Sequence, residues 1–117
     1  SAEIYNPTNG TWNVTGSMNK SRAGHSATLL LNGMVLIAGG TTDGTISAEL
    51  YDPDTGNWTI AGTMVQPRHS HTATLLTNGW VLVAGGVTNG HVTGTAELFD
   101  PSKPLKNSFE HEVKKGV

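Results

Sequence analysis

The chain repeats itself. Shifted by 46 positions, Ala2 to Gly40 falls on Ala48 to Gly86, and 21 of the 39 aligned positions are identical. A third copy opens at Ala96-Glu97-Leu98-Phe99-Asp100-Pro101. A period of this length is the mark of stacked supersecondary units, each burying its apolar surface against its neighbours. It dictates architecture and leaves the partner open.

One unit can be read strand by strand from Arg22 to Met64. His25 to Leu31 reads as a first strand. Asn32-Gly33 follows, a hairpin signal expected to form a type I′ turn with both residues at positive φ, and Asn78-Gly79 repeats it. Met34 to Ala38 is a second strand, apolar on both faces, as is its copy Trp80 to Ala84; such a strand lies in a sheet covered on both sides. Gly39-Gly40 allows a sharp exit or a close approach of a neighbouring backbone. After a polar loop, Ala48 to Asp52 is a third strand. Pro53-Asp54-Thr55-Gly56 is a turn, and Asn57 to Ala61, carrying Trp58, is a fourth strand. Four antiparallel strands per repeat, with the inner ones buried on both faces, describe a propeller blade. The expected fold class is therefore all-β: four-stranded antiparallel blades in an incomplete propeller.

These residues resemble the kelch repeat. The doublet Gly39-Gly40, then Tyr51, then Trp58 carry the resemblance; Gly85-Gly86 with Phe99, and Tyr5 with Trp12, repeat parts of it. The resemblance covers residues 1 to about 101 and implies a kelch-type β-propeller, with the central domain of galactose oxidase as a distant relative. Gly24-His25 matches the start of a WD-type repeat, but no Trp-Asp dipeptide follows. Trp12 and Trp58 are expected to pack between blades.

The strand types give a broken count. Residues 1–21 read as the second half of a blade, 22–64 as a complete one, 65–102 as most of a further one, and 103–117 as a divergent tail. Propellers usually need about 4–8 blades. The blades are thus expected to belong to a longer chain, or to close a ring by association of several copies, since an open stack exposes sheet edges and apolar faces. The tail carries four of the seven basic residues and no Trp near position 106. It reads as a degenerate strand or a flexible end; Phe109 and Val113 at i, i+4 also fit a short helix.

Composition narrows the function classes. A net charge of -2, with no basic stripe, argues against nucleic acid as a partner. No apolar run approaches the length of a membrane span. The absence of Cys excludes disulfides and thiolate metal sites. Sequons at Asn9, Asn13, Asn19 and Asn57 favour a secreted or cell-surface setting if the source is eukaryotic; localisation is otherwise open.

Binding residues tend to sit on variable loops over a rigid scaffold. The longer connections, 41–47, 87–95, 62–68 and 16–21, are expected on the side opposite the tight turns, and the candidates among them are Asp43, Thr45, Asn89 and His91. Arg22 and Arg68 recur at one repeat position, and His25 and His71 at another. Each Arg is expected to pair with a Glu (Glu3, Glu49 or Glu97) or with carbonyls at a blade junction; a basic ring around a central channel is the alternative. His69-Ser70-His71 sets two imidazoles on one strand face, with no third metal ligand evident. No nucleophile elbow, phosphate loop or paired-carboxylate motif is present. The oxidases related to galactose oxidase use a Tyr cross-linked to Cys, and this chain has no Cys. The expectation is a non-catalytic, self-associating module that presents loops to a protein or glycan and carries no cofactor or metal. The alternative is a piece of a larger oxidase-like enzyme whose active site lies elsewhere.

Overall fold

The computed structural model describes residues 1–41, 46–103, 109 and 113–114. Among these residues there are twelve strands and no helix, hence none long and apolar enough to cross a membrane. β1 (Ala2–Asn6) and β2 (Thr11–Thr15) form a two-stranded antiparallel half-blade. β3 (Ser26–Leu29), β4 (Val35–Ala38), β5 (Ser47–Asp52) and β6 (Asn57–Thr63) form a second blade in sequential order. The third blade joins β7 (Thr72–Leu75), β8 (Val81–Ala84), β11 (Thr95–Phe99) and β12 (Val113–Lys114). A small hairpin, β9 (Val87–Thr88) with β10 (His91–Val92), fills the connection between β8 and β11. The chain is all-β and built of four-stranded antiparallel blades, the fold class that the repeat and its two-faced apolar strands imply.

The third blade is fuller than the sequence suggests. Thr95 and Ala96 of β11 pair with Lys114 and Val113, and Phe99 bridges to Phe109. The Phe99 and Phe109 rings lie 5.2 Å apart, against 4.8 Å for Tyr51–Trp58 and 5.0 Å for Tyr5–Trp12. Phe109 thus takes the place that Trp58 holds in the second blade, displaced in sequence by a longer connection. Val113 is in a strand, so the helical spacing of Phe109 and Val113 is not used. The remaining tail residues lie outside those described.

The type I′ turn is not where the Asn-Gly pairs at 32–33 and 78–79 lead one to expect it. At Asn32-Gly33 only the glycine has positive φ, +87°. The Gly33 amide donates to Leu30 O, and Met34 N donates to the Asn32 side chain. The loop is therefore three residues long, and glycine alone takes the left-handed position. Asn78-Gly79 behaves alike, with Gly79 at +88°. The two-residue turn with both φ positive is Asn89-Gly90, at +50° and +79°, between Thr88 and His91.

The core fills the seam between the second and third blades. Leu30 and Leu36 from one meet Val81, Val83 and Phe99 from the other, all nearly or fully buried, with Met64 and Ala61 closing the cluster. Each such side chain contributes about 1.5–3 kcal/mol by leaving water. The seam is tight because Gly39 and Gly40, at φ +75° and +72°, let the next segment approach: Gly40 N donates to Arg68 O at 2.9 Å. A Cβ on Gly40 would lie 2.5 Å from Ala23 O and 2.7 Å from His25 N. Gly40→Ala should therefore cost about 3 kcal/mol or more. Gly33→Ala, with equally positive φ but open space around it, should cost only about 1 kcal/mol. Urea unfolding of the two variants checks the difference.

Candidate functional site

The repeated arginines are joints. Arg22 reaches from the segment before β3 to Glu49 on β5, Nη2 to Oε2 2.9 Å, with both side chains fully buried. Its Nη1 donates to Gly39 O at 3.0 Å and to Ser47 O at 2.8 Å, and Nη2 also donates to Ser47 Oγ. Arg68 repeats this one blade on: Glu97 at 2.9 Å, Gly85 O at 2.9 Å, Thr95 O at 3.0 Å and the Thr95 hydroxyl at 3.3 Å. Nε of each Arg completes the set on the same carboxylate. A guanidinium has five N–H groups, and all are engaged in both joints. No donor remains for an anion, so the two arginines do not form a basic channel lining.

Each glutamate also holds the incoming loop. Glu49 accepts from the Asn19 and Lys20 amides, and Glu97 from those of Val65 and Gln66. Burial pushes the Glu49 carboxyl up, but the Asn19 amide and Arg22 outweigh it and hold the group below its ordinary value. The Asn19 side-chain nitrogen donates to the same carboxylate at 3.0 Å.

The aromatic signature divides. Tyr51 donates or accepts at Thr15 Oγ1, 2.6 Å away, and Trp58 Nε1 donates to Gly16 O at 2.7 Å, so both bind the second blade to the first. Trp12 does not pack between blades among the described residues: it is 64% exposed, stacked only on Tyr5. Among the described residues β1 and β2 pair only with each other.

The histidines also separate. His71 lies against Gly39, with Nε2 2.9 Å from Ser26 Oγ. Burial, then the charge of Arg68, lower its pKa from 6.5 to about 4. His25, its repeat equivalent, is exposed. His69 and His71 do not share a strand face as expected: Ser70 between them has φ +56°, His69 Nδ1 turns to Ser70 Oγ, and His69 pairs through its backbone with Val87. Among the described residues no three His, Cys, Asp or Glu come together as metal ligands.

The connections opposite the tight turns converge. Thr41, Pro67, His69, Val87, Asn89 and Gly90 line a cavity of 260 Å³ over Arg68. Asn89 is thus in a site shared by two blades, while His91 sits exposed on β10 beside it. Asp43 and Thr45 lie outside the described residues. Sequence reasoning missed Thr41, Pro67 and His69 because their convergence depends on how two blades abut; the Asn-Gly pair at 89–90 was the available signal for the hairpin that presents them.

Removing the cation of a buried pair strands its carboxylate. Arg68→Met should destabilise the chain by about 3–5 kcal/mol, and Arg22→Met comparably, measured by chemical denaturation. Acid should act through His71. Its folded pKa is about 4 against 6.5 unfolded, so in that window the unfolded chain binds more protons. Its contribution is complete above pH 6.5 and declines as pH falls toward 4. The lowered Glu49 extends the loss further into acid. Melting temperature across pH 7 to 4 should fall, and His71→Gln should flatten the upper part of that slope.

Residues 22–65 match the Kelch motif. Among solved structures, the chain resembles one described as a "novel fungal alcohol oxidase with catalytic diversity among the AA5 family, in complex with copper", at a TM-score of 0.71 and 18% identity. The likeness covers 92% of this chain and 22% of that one, so the chain spans under a quarter of its neighbour's length. None of the curated proteins compared with the chain matches it. The copper belongs to that protein: without Cys, and without a grouping of potential ligands among the described residues, the residues here do not fit such a centre. Residues 22–65 are thus a kelch repeat, and it stands in a fold of four-stranded antiparallel kelch-type blades.

Proposed function

We propose that the chain is a non-catalytic binding module in which kelch blades present their longer connections to a protein or glycan, within a propeller completed by copies of the chain or by further blades. The observation that carries this is the 260 Å³ cavity where connections of two blades meet, with Asn89 on its rim. Its floor is fixed, because the Arg68 guanidinium is tied to Gly85, Thr95 and Glu97 while its backbone carbonyl accepts from Gly40 N, and its rim is a two-residue hairpin turn. Rigid support beneath short polar loops is the arrangement that lets binding residues vary without cost to the fold.

A second reading, a segment of a larger oxidase-like enzyme, is favoured by the fungal alcohol oxidase neighbour. Fold alone does not select a chemistry, and the donor set of this chain supports no step of one.

Asn89→Gly keeps the positive φ while removing the side chain, and His91→Ala removes an exposed ring. In glycan-array and affinity-capture experiments the pair should weaken binding about tenfold or more if these are central contacts. Unchanged binding by both variants removes the loop assignment.

A further inference from the structure

An asparagine followed by glycine can react with its own backbone. The glycine amide nitrogen reaches the asparagine side-chain carbonyl carbon because no Cβ on the glycine obstructs it. Four such pairs occur in this chain: Asn9-Gly10, Asn32-Gly33, Asn78-Gly79 and Asn89-Gly90. All four lie in hairpin turns, and all four glycines have positive φ, between +71° and +88°. The hand of the backbone therefore does not tell them apart. Hydrogen bonding does.

In three of the pairs both reacting groups are held. Gly10 N donates to Asn6 O at 2.8 Å, Gly33 N to Leu30 O at 3.1 Å and Gly79 N to Leu76 O at 3.0 Å. The side-chain oxygens are held as well. Asn9 Oδ1 accepts from the Thr11 amide and hydroxyl, Asn32 Oδ1 from the Met34 amide and Asn78 Oδ1 from the Trp80 amide. A nitrogen tied to a carbonyl behind it and an oxygen tied to an amide ahead of it cannot close on each other without breaking those bonds. Asn89-Gly90 has neither bond among the described residues. In its two-residue turn the ladder pair Thr88–His91 closes around it and asks nothing of the Asn89 side chain or the Gly90 amide. Both residues are exposed.

We propose that Asn89 is a self-modification site, where the Gly90 nitrogen attacks Asn89 Cγ, ammonia leaves, and the resulting succinimide takes up water to give aspartate or isoaspartate. The new N–Cγ bond replaces the Cγ–Nδ2 bond, and the Gly90 amide proton departs with the side-chain nitrogen as ammonia. Water then opens the ring at either carbonyl, its oxygen staying on that carbon as part of the carboxylate. No atom is oxidised or reduced, and water is the one co-reactant. The consequence falls on the cavity over Arg68, which Asn89 and Gly90 line together with His69. An uncharged amide on its rim becomes a carboxylate. Isoaspartate also adds a methylene to the backbone of a two-residue turn, which the Thr88–His91 register does not accommodate. An ageing chain thus passes from a neutral to an anionic rim. That consequence rests on the reading of the cavity as a binding site; the reaction itself does not.

The test incubates the intact chain in warm, mildly alkaline buffer and follows each Asn-Gly peptide by mass spectrometry. The amide-to-acid mass gain should appear at Asn89 at least about tenfold faster than at Asn9, Asn32 or Asn78, since the held pairs react only after local opening. In denaturant the rates should converge. Hydroxylamine, which cleaves a succinimide, should cut the folded chain after Asn89 and the denatured chain after every Asn-Gly asparagine. A folded chain that gains the acid evenly across the pairs, or first at a held pair, overturns the proposal. So does one that keeps the Asn89 amide while the denatured chain loses it. No ligand enters the measurement, so the two readings fail separately. Conversion at Asn89 in a chain whose loops bind no protein or glycan supports the modification site and sinks only the binding role. An unreacted Asn89 in a chain that does bind keeps the binding role and overturns the modification.

Discussion

A buried arginine–glutamate pair joins each of the two four-stranded blades to the loop that enters it. Two full charges out of water are costly, and such a pair is tolerated only when every remaining hydrogen-bonding atom is served. Here it is: the guanidinium spends five donors on one carboxylate, two strand carbonyls and a hydroxyl, and the carboxylate takes two loop amides besides. That closed network fixes the start of the first strand, the exit of the second and the face of the third at one point. An apolar replacement could match its energy but not its geometry, since it would direct no carbonyl and hold no loop.

The glycine doublet follows from the joint. Gly39 and Gly85 offer their carbonyls to the arginines, and left-handed backbone at both doublet positions turns the chain away at once. With no Cβ at Gly39, the next blade comes close enough to bury Val81, Val83 and Leu30 together, and with none at Gly40 the segment entering β3 packs against its own doublet. The cavity above Arg68 is a product of the same approach. Its walls are the strands' continuations, so its shape is set by the scaffold and its chemistry by the residues of the connections.

Much of this was legible before any coordinates. Identity between copies at Arg22 and Arg68, and at Glu49 and Glu97, pointed to a structural pairing, because an equivalent position in every blade has an equivalent environment. Phe109 was not legible: its role comes from register against Phe99, and a longer connection hid the spacing. An Asn-Gly dipeptide signals a turn without fixing the loop length around it, so Asn32-Gly33 and Asn89-Gly90 read alike although only the second forms the two-residue turn. His69 and His71 were set on one face by strand alternation, which the positive φ of Ser70 interrupts.

The sequence by itself determined the unit: its period, its four strands, its glycine doublet and its aromatic pair, because local pattern and propensity act over a few residues and recur with each copy. Only the tertiary structure decided which equivalent residues are equivalent in fact. Glu3, Glu49 and Glu97 read alike in the chain; two are buried in salt bridges and one stands open, because burial depends on the neighbouring hairpin and not on the residue.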